Sequence, residues 1–175
     1  VASPNFGTRP QGVTIDLAVI HSISLPPGVY GGDAIERFFT NRLAPHKHPY
    51  FAQIAGLQVS AHFLIRRDGA LLQFVSVTDR AWHAGASCWQ GRDNCNDYAV
   101  GIELEGLEGD LFEPAQYATL AALLRGLRQE WPIAQAVGHE HVAPGRKLDP
   151  GPGFDWTALA TALRGSGICL PASTP

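Results

Sequence analysis

The chain has 175 residues, 45% of them hydrophobic and 17% charged, which is enough apolar material for one domain with its own core. Its net charge of −3 leaves no electrostatic footprint for a nucleic acid or another polyanion. No apolar run approaches the roughly 20 residues a membrane helix requires, and the longest, near Leu17–Ile20, is strand-sized.

In chain order, the residues from Asp16 to Ile20 predict a buried strand that ends in His21. Ser24-Leu25-Pro26-Pro27-Gly28 breaks regular structure. Asp33 is placed to cap a short helix with Ile35, Phe38 and Phe39 on one face. A loop with His46 and His48 follows. Ala61 to Arg66 and Leu71 to Val75 predict a hairpin, because Asp68-Gly69 between them supplies the positive φ such turns need.

Val100 to Glu105 predicts another strand, with Ile102 and Leu104 on one face and Gly101, Glu103 and Glu105 on the other. The longest helix is expected from Pro114 to Trp131, with an apolar stripe of Tyr117, Leu120, Leu124, Leu127 and Trp131. A short strand near Ala136–Gly138 delivers His139, and Asp155 caps a last helix over Trp156–Leu163. The expected fold class is α/β (mixed α+β), a central mixed sheet flanked by helices. One domain spans 1–164, and 165–175 is read as a loose tail.

Seven histidines invite a metal reading. His21 and His139 stand where strands end, and Asp149 follows in a proline-stiffened loop. Two imidazoles and a carboxylate form a hydrolytic zinc set that leaves a fourth position open. His141 is the rival to His139, since residues i and i+2 of a strand share a face. His62 reads as structural, and His46 and His48 as exposed.

Glu103 points away from the Ile102–Leu104 layer, and Gly101 beside it leaves room for a ligand. A carboxylate there suits proton transfer, whereas Glu105 reads as a solvent-facing acid. Lys147 is placed to face an oxyanion from the Asp149 loop, with Arg146 an ordinary exposed cation. Trp82-His83 suits a sugar or peptide cleft.

Three cysteines, Cys88, Cys95 and Cys169, lack any regular spacing, which favours free thiols in a reducing compartment over the alternative of a Cys88–Cys95 bridge. No export signal is visible in Val1-Ala2-Ser3-Pro4.

Several segments taken together resemble one family. They include Val19-Ile20-His21-Ser22 through Pro26-Pro27-Gly28, and His48-Pro49-Tyr50-Phe51. Val59-Ser60-Ala61-His62-Phe63, Arg80-Ala81-Trp82-His83-Ala84-Gly85 and Cys95-Asn96-Asp97 continue the match, followed by Gly101-Ile102-Glu103-Leu104-Glu105-Gly106. It closes with Gly138-His139, Arg146-Lys147, Asp149-Pro150-Gly151 and Phe154-Asp155-Trp156.

In this order they resemble the AmpD-type N-acetylmuramyl-L-alanine amidases of bacterial cell-wall recycling, whose fold is shared with peptidoglycan recognition proteins. The resemblance implies one zinc ion held by His21, His139 and Asp149, with catalysis assigned to Glu103 and Lys147. It implies substrate contacts at Ser22, Trp82 and His83. The implied partner is an anhydro-muropeptide or peptidoglycan fragment, not a nucleic acid or a membrane, and the implied enzyme is cytoplasmic and monomeric. The alternatives are an amidase acting on intact wall in the periplasm and a non-catalytic peptidoglycan-binding module. The chain departs from the common pattern at Ser22, Glu140-His141, Gly145 and Leu148, and carries Gln58 and Asn94 where some members carry arginine.

Overall fold

A computed structural model describes residues 1–171. Its strands and helices, in chain order, are β1 (Phe6–Thr8), β2 (Leu17–Ile23), α1 (Ala34–Phe39), α2 (Pro49–Gln53), β3 (Phe63–Ile65), β4 (Leu71–Gln73) and β5 (Asp79–Ala81). They continue with β6 (Cys88–Trp89), β7 (Arg92–Asp93), β8 (Ala99–Glu105), α3 (Pro114–Glu130), β9 (Gln135–Gly138), α4 (His139–Val142) and α5 (Trp156–Ala162). The expected mixed architecture is present: a five-stranded sheet in the order β4-β3-β8-β2-β9, with two small two-stranded ribbons beside it. β3, β8, β2 and β9 run parallel, and β4 is antiparallel to β3.

Parallel strands are covered on both faces, so they read as continuous apolar runs. β2 and β8 do so. On one face, Ala18, Ile20, Val100, Ile102 and Leu104 pack under Leu120, Leu124 and Leu127 of α3 and Leu159 of α5. On the other, Leu17, Val19 and Ala99 pack with Ala84, Cys95 and Tyr98 of the β5–β8 connection. α1 and α2 cover a separate cluster of Ile35, Phe38, Phe39 and Phe51.

The strong local signals are realised. The hairpin pairs Phe63 with Gln73, and Gly69 sits at φ 84°. Pro114 opens α3 and Trp131 ends it. The Asp155 carboxylate accepts from Ala158 N at 2.8 Å. Asp33, by contrast, makes no cap; it pairs with Arg37 at 2.7 Å. β2 runs through His21 to Ile23.

Glu105 corrects the expectation of a solvent-facing acid. It is 2% exposed, meets Arg66 Nη1 at 3.0 Å, and accepts from Gly31 N at 2.6 Å. The arginine and backbone donors offset the cost of burying its charge.

The tail also differs from its reading. Cys169 exchanges backbone hydrogen bonds with the β9 edge, donating to Ala134 O at 2.9 Å and accepting from Ala136 N at 3.0 Å. Ile168 and Leu170 pack on the main core. Residues 172–175 lie outside the described residues. All three cysteines are free thiols.

Candidate metal centre

Three neighbouring parallel strands bring their chemistry to one level. β2 and β8 pair so that His21 lies directly beside Glu103, and β2 and β9 pair Ile20 with Gly138, which puts His139 next in line. Side-chain alternation turns His21 to the same face as Leu17 and Val19, away from α3. The site thus stands at the carboxyl ends of the parallel strands, where open sheets carry ligands. Asp149 arrives from the loop after α4, where its carbonyl accepts from Glu140 N at 2.9 Å.

His21, His139 and Asp149 are 1%, 3% and 6% exposed. Their donor atoms converge: His21 Nδ1 to His139 Nδ1 is 2.9 Å, His21 Nδ1 to Asp149 Oδ2 is 3.1 Å, and His139 Nδ1 to Asp149 Oδ2 is 3.0 Å. Tetrahedral ligands at the usual zinc distances of about 2.0–2.1 Å stand about 3.3 Å apart.

Proton placement tests the fit. The Ala84 carbonyl can only accept, so His139 Nε2, 3.1 Å away, carries the proton and donates it. A neutral His139 therefore presents a bare Nδ1 lone pair to the bare carboxylate oxygen of Asp149. A cation between them converts that repulsion into attraction, and the nitrogen and oxygen donors suit zinc. Burial of Asp149 raises its pKa, but the two imidazoles beside it outweigh that and hold the carboxyl below its ordinary range. Burial drives His21 down to about 4, with Asp149 opposing the shift, so His21 is neutral at pH 7.

Glu103 is 8% exposed, and its Oε2 is buried with no hydrogen-bond partner among the described residues. Burial, then the negative charge of Asp149, push its carboxyl well above the ordinary value, and Lys147 opposes them. Glu103, Lys147, Ser22 and Trp82 all line one cleft of 370 Å³ together with the three converging residues. Its other end is apolar, built by Leu25, Phe38, Tyr50, Ile54 and Leu57, residues that sequence reasoning did not assign to the site. Leu25 and Tyr50 lie in segments that carry the family resemblance; the signal of Phe38, Ile54 and Leu57 was hydrophobicity, which core residues share.

The rivals of the converging set go elsewhere. His141 Nδ1 accepts from Gly138 N at 2.9 Å, so it braces the turn into α4. His62 is buried, its Nδ1 accepts from Gly101 N at 2.9 Å, and burial then Arg9 lower its pKa to about 3. His48 caps α2 by accepting from Tyr50 N at 3.1 Å.

One expectation needs correction. The space at Gly101 is taken by the His83 ring, which an added Cβ would overlap, and not by a ligand. Arg146 is exposed, as expected, and its guanidinium also donates to Ala84 O and Ala86 O, each at 2.6 Å. Gln58 is exposed and borders a shallow hollow beside the cleft, with Phe38 and Leu43.

A sequence model of the N-acetylmuramoyl-L-alanine amidase family matches residues 11–152, which include all the residues of this centre. The chain belongs to that family. This amidase is 52% identical over 158 residues to 1,6-anhydro-N-acetylmuramyl-L-alanine amidase AmpD of Escherichia coli, covering 89% of this chain and 86% of that one. The crystal structure of a selenomethionine derivative of AmpD superposes with a TM-score of 0.90 at 49% identity, over 93% of this chain and 92% of that chain. The Escherichia coli amidase AmiD, solved with anhydro-N-acetylmuramic acid-L-Ala-D-gamma-Glu-L-Lys, gives a TM-score of 0.62 at 28% identity, over 88% of this chain and 60% of its own. No helix among the described residues is long and apolar enough to cross a membrane.

Proposed function

We propose that this amidase is zinc-dependent and hydrolyses the amide between the lactyl group of anhydro-N-acetylmuramic acid and the L-alanine of a muropeptide. The observation that carries the reading is the convergence of His21, His139 and Asp149 at the head of a cleft in which Glu103 and Lys147 also stand. His21, His139 and Asp149 hold the ion. When bound, zinc supplies Lewis-acid polarisation and an activated water at neutral pH.

Glu103, raised by burial and fixed beside His21, takes the proton of the attacking water and returns it to the departing alanine nitrogen. Lys147 directs its ammonium toward the negative charge that develops on the scissile carbonyl oxygen. Trp82 and Ser22 face the sugar and peptide from the cleft wall, and the apolar end receives the uncharged face of the fragment. The centre is complete within a single chain, in keeping with a monomer. The three free thiols and the similarity to an amidase named for anhydro fragments support a role in recycling in the cytoplasm.

The test pairs zinc analysis of the purified chain with cleavage assays on soluble anhydro-muropeptide and on intact wall. The expected result is one zinc per chain, cleavage faster on the soluble fragment, and activity removed by a chelator and restored by zinc. A chain that retains activity after complete metal removal overturns the zinc dependence; preference for intact wall overturns the substrate assignment.

Lys147→Ala is expected to fold and keep its zinc, since Lys147 lies outside the converging set, and to lose about 100- to 1,000-fold in turnover. Turnover near that of the unmodified chain would remove the lysine from the mechanism.

A further inference from the structure

Both metal-facing imidazoles must keep their protons on Nε2 if their Nδ1 atoms are to bind a cation. The two acceptors for those protons are consecutive in sequence. His139 Nε2 donates to the Ala84 carbonyl at 3.1 Å, and His21 Nε2 lies 3.0 Å from His83 Nδ1, the rings meeting edge to face at 84°. The dipeptide is itself held from behind. Asn96 Oδ1 accepts from His83 N at 3.1 Å and from Ala84 N at 2.8 Å, and Gly101 gives the His83 ring a place that any side chain would fill.

We propose that His83 is a positioning residue for the metal: it accepts the Nε2–H of His21 and thereby commits His21 to ligation through Nδ1. The inference rests on the zinc reading above. The reverse arrangement, with His83 donating from Nδ1, places the His21 proton on its own Nδ1. That proton would sit in the middle of the converging set and oppose metal entry. His83 and His21 therefore change tautomer together when zinc binds, with no net gain or loss of a proton by the pair. His83 also lines the cleft, so this role stands beside the substrate contact implied by family resemblance.

The test compares His83→Leu, which removes the acceptor, with His83→Asn, whose Oδ1 stands near the position of Nδ1. Zinc affinity is measured by competition with a chelating dye, and thermal unfolding of the zinc-free proteins reports the packing cost separately. His83→Leu is expected to weaken zinc binding about 10- to 100-fold, the range for partners of ligating histidines, and His83→Asn to recover most of it. Imidazole ¹⁵N spectra should show His21 and His83 exchanging tautomers on zinc addition to the wild type, with a mixed His21 tautomer in His83→Leu.

Zinc affinity equal to wild type in a folded His83→Leu overturns the proposal. So does equal weakening in both variants that tracks their zinc-free stability, because that would mean His83 only fills space. A wild type that binds no zinc would instead remove the reading beneath it.

Discussion

Glu103→Gln should abolish most turnover, by about 100- to 10,000-fold, the usual worth of a positioned acid–base group, while zinc content stays at the wild-type level. The amide has nearly the same volume and occupies the same buried place between Leu64 and His21 in the sheet register, so packing is kept. What it lacks is the capacity to take up and return a proton. Among the described residues Glu103 Oε2 is the one buried carboxylate oxygen without a partner, and such an oxygen costs stability and persists where chemistry uses it. Glu105, two residues on, has Arg66 and the Gly31 amide as partners, so its Gln variant should affect stability before activity. Hydrolysis rates on anhydro-muropeptide with parallel zinc analysis decide the matter. A Glu103→Gln enzyme within tenfold of wild type shows that proton transfer belongs to another group.

Asp149→Ala is expected to lose zinc and, with it, activity. The carboxylate is the one anionic donor of the three, and the two imidazoles left behind are neutral donors with no charge to balance a dication. The loss of affinity should exceed the about 10- to 100-fold that outer partners of ligating histidines are worth. His141→Ala is the matched control. His141 lies two residues from His139, yet its Nδ1 is occupied by Gly138 N, so that variant keeps zinc. Equilibrium dialysis against zinc-buffered solutions separates the two. If Asp149→Ala holds zinc as tightly as wild type, or if His141→Ala is the one that loses it, the ligand set is wrong.

The separate elements were legible because their signals are local. The four- and three-residue spacing of Leu120, Leu124 and Leu127 specifies a helix face, Asp68-Gly69 a tight turn, and Asp155 a helix start; each depends on residues within a turn or two of itself. The residues that line the metal end of the cleft were legible too: His21, His139 and Asp149 by residue type and place at a strand end or in a stiff loop, Glu103 by strand alternation beside Gly101, and Lys147 by its nearness to Asp149. Spacing did not separate His139 from His141, and it was family resemblance that chose between them.

The errors share a cause. Glu105 reads as solvent-facing, the place of His83 beside Gly101 as open to a ligand, and the exposed Arg146 as a cation without partners, when only neighbours in sequence are considered. Their partners lie far along the chain: Arg66 for Glu105 at 39 residues, Ala84 for Arg146 at 62, and His21 for His83 also at 62. The short β1–β5 and β6–β7 ribbons and the docking of Cys169 on β9 had no periodic signal to read, being only a few residues long.

From the sequence alone came the types of element, the faces they bury and the set of groups capable of metal and proton chemistry. The tertiary structure decided which of those groups meet. His21 and His139 are 118 residues apart and His21 and Asp149 are 128, and they converge because β8, β2 and β9 lie side by side in one parallel register. That order and register come from covering both faces of the sheet at once, a balance of packing over the whole chain that no single stretch of it encodes.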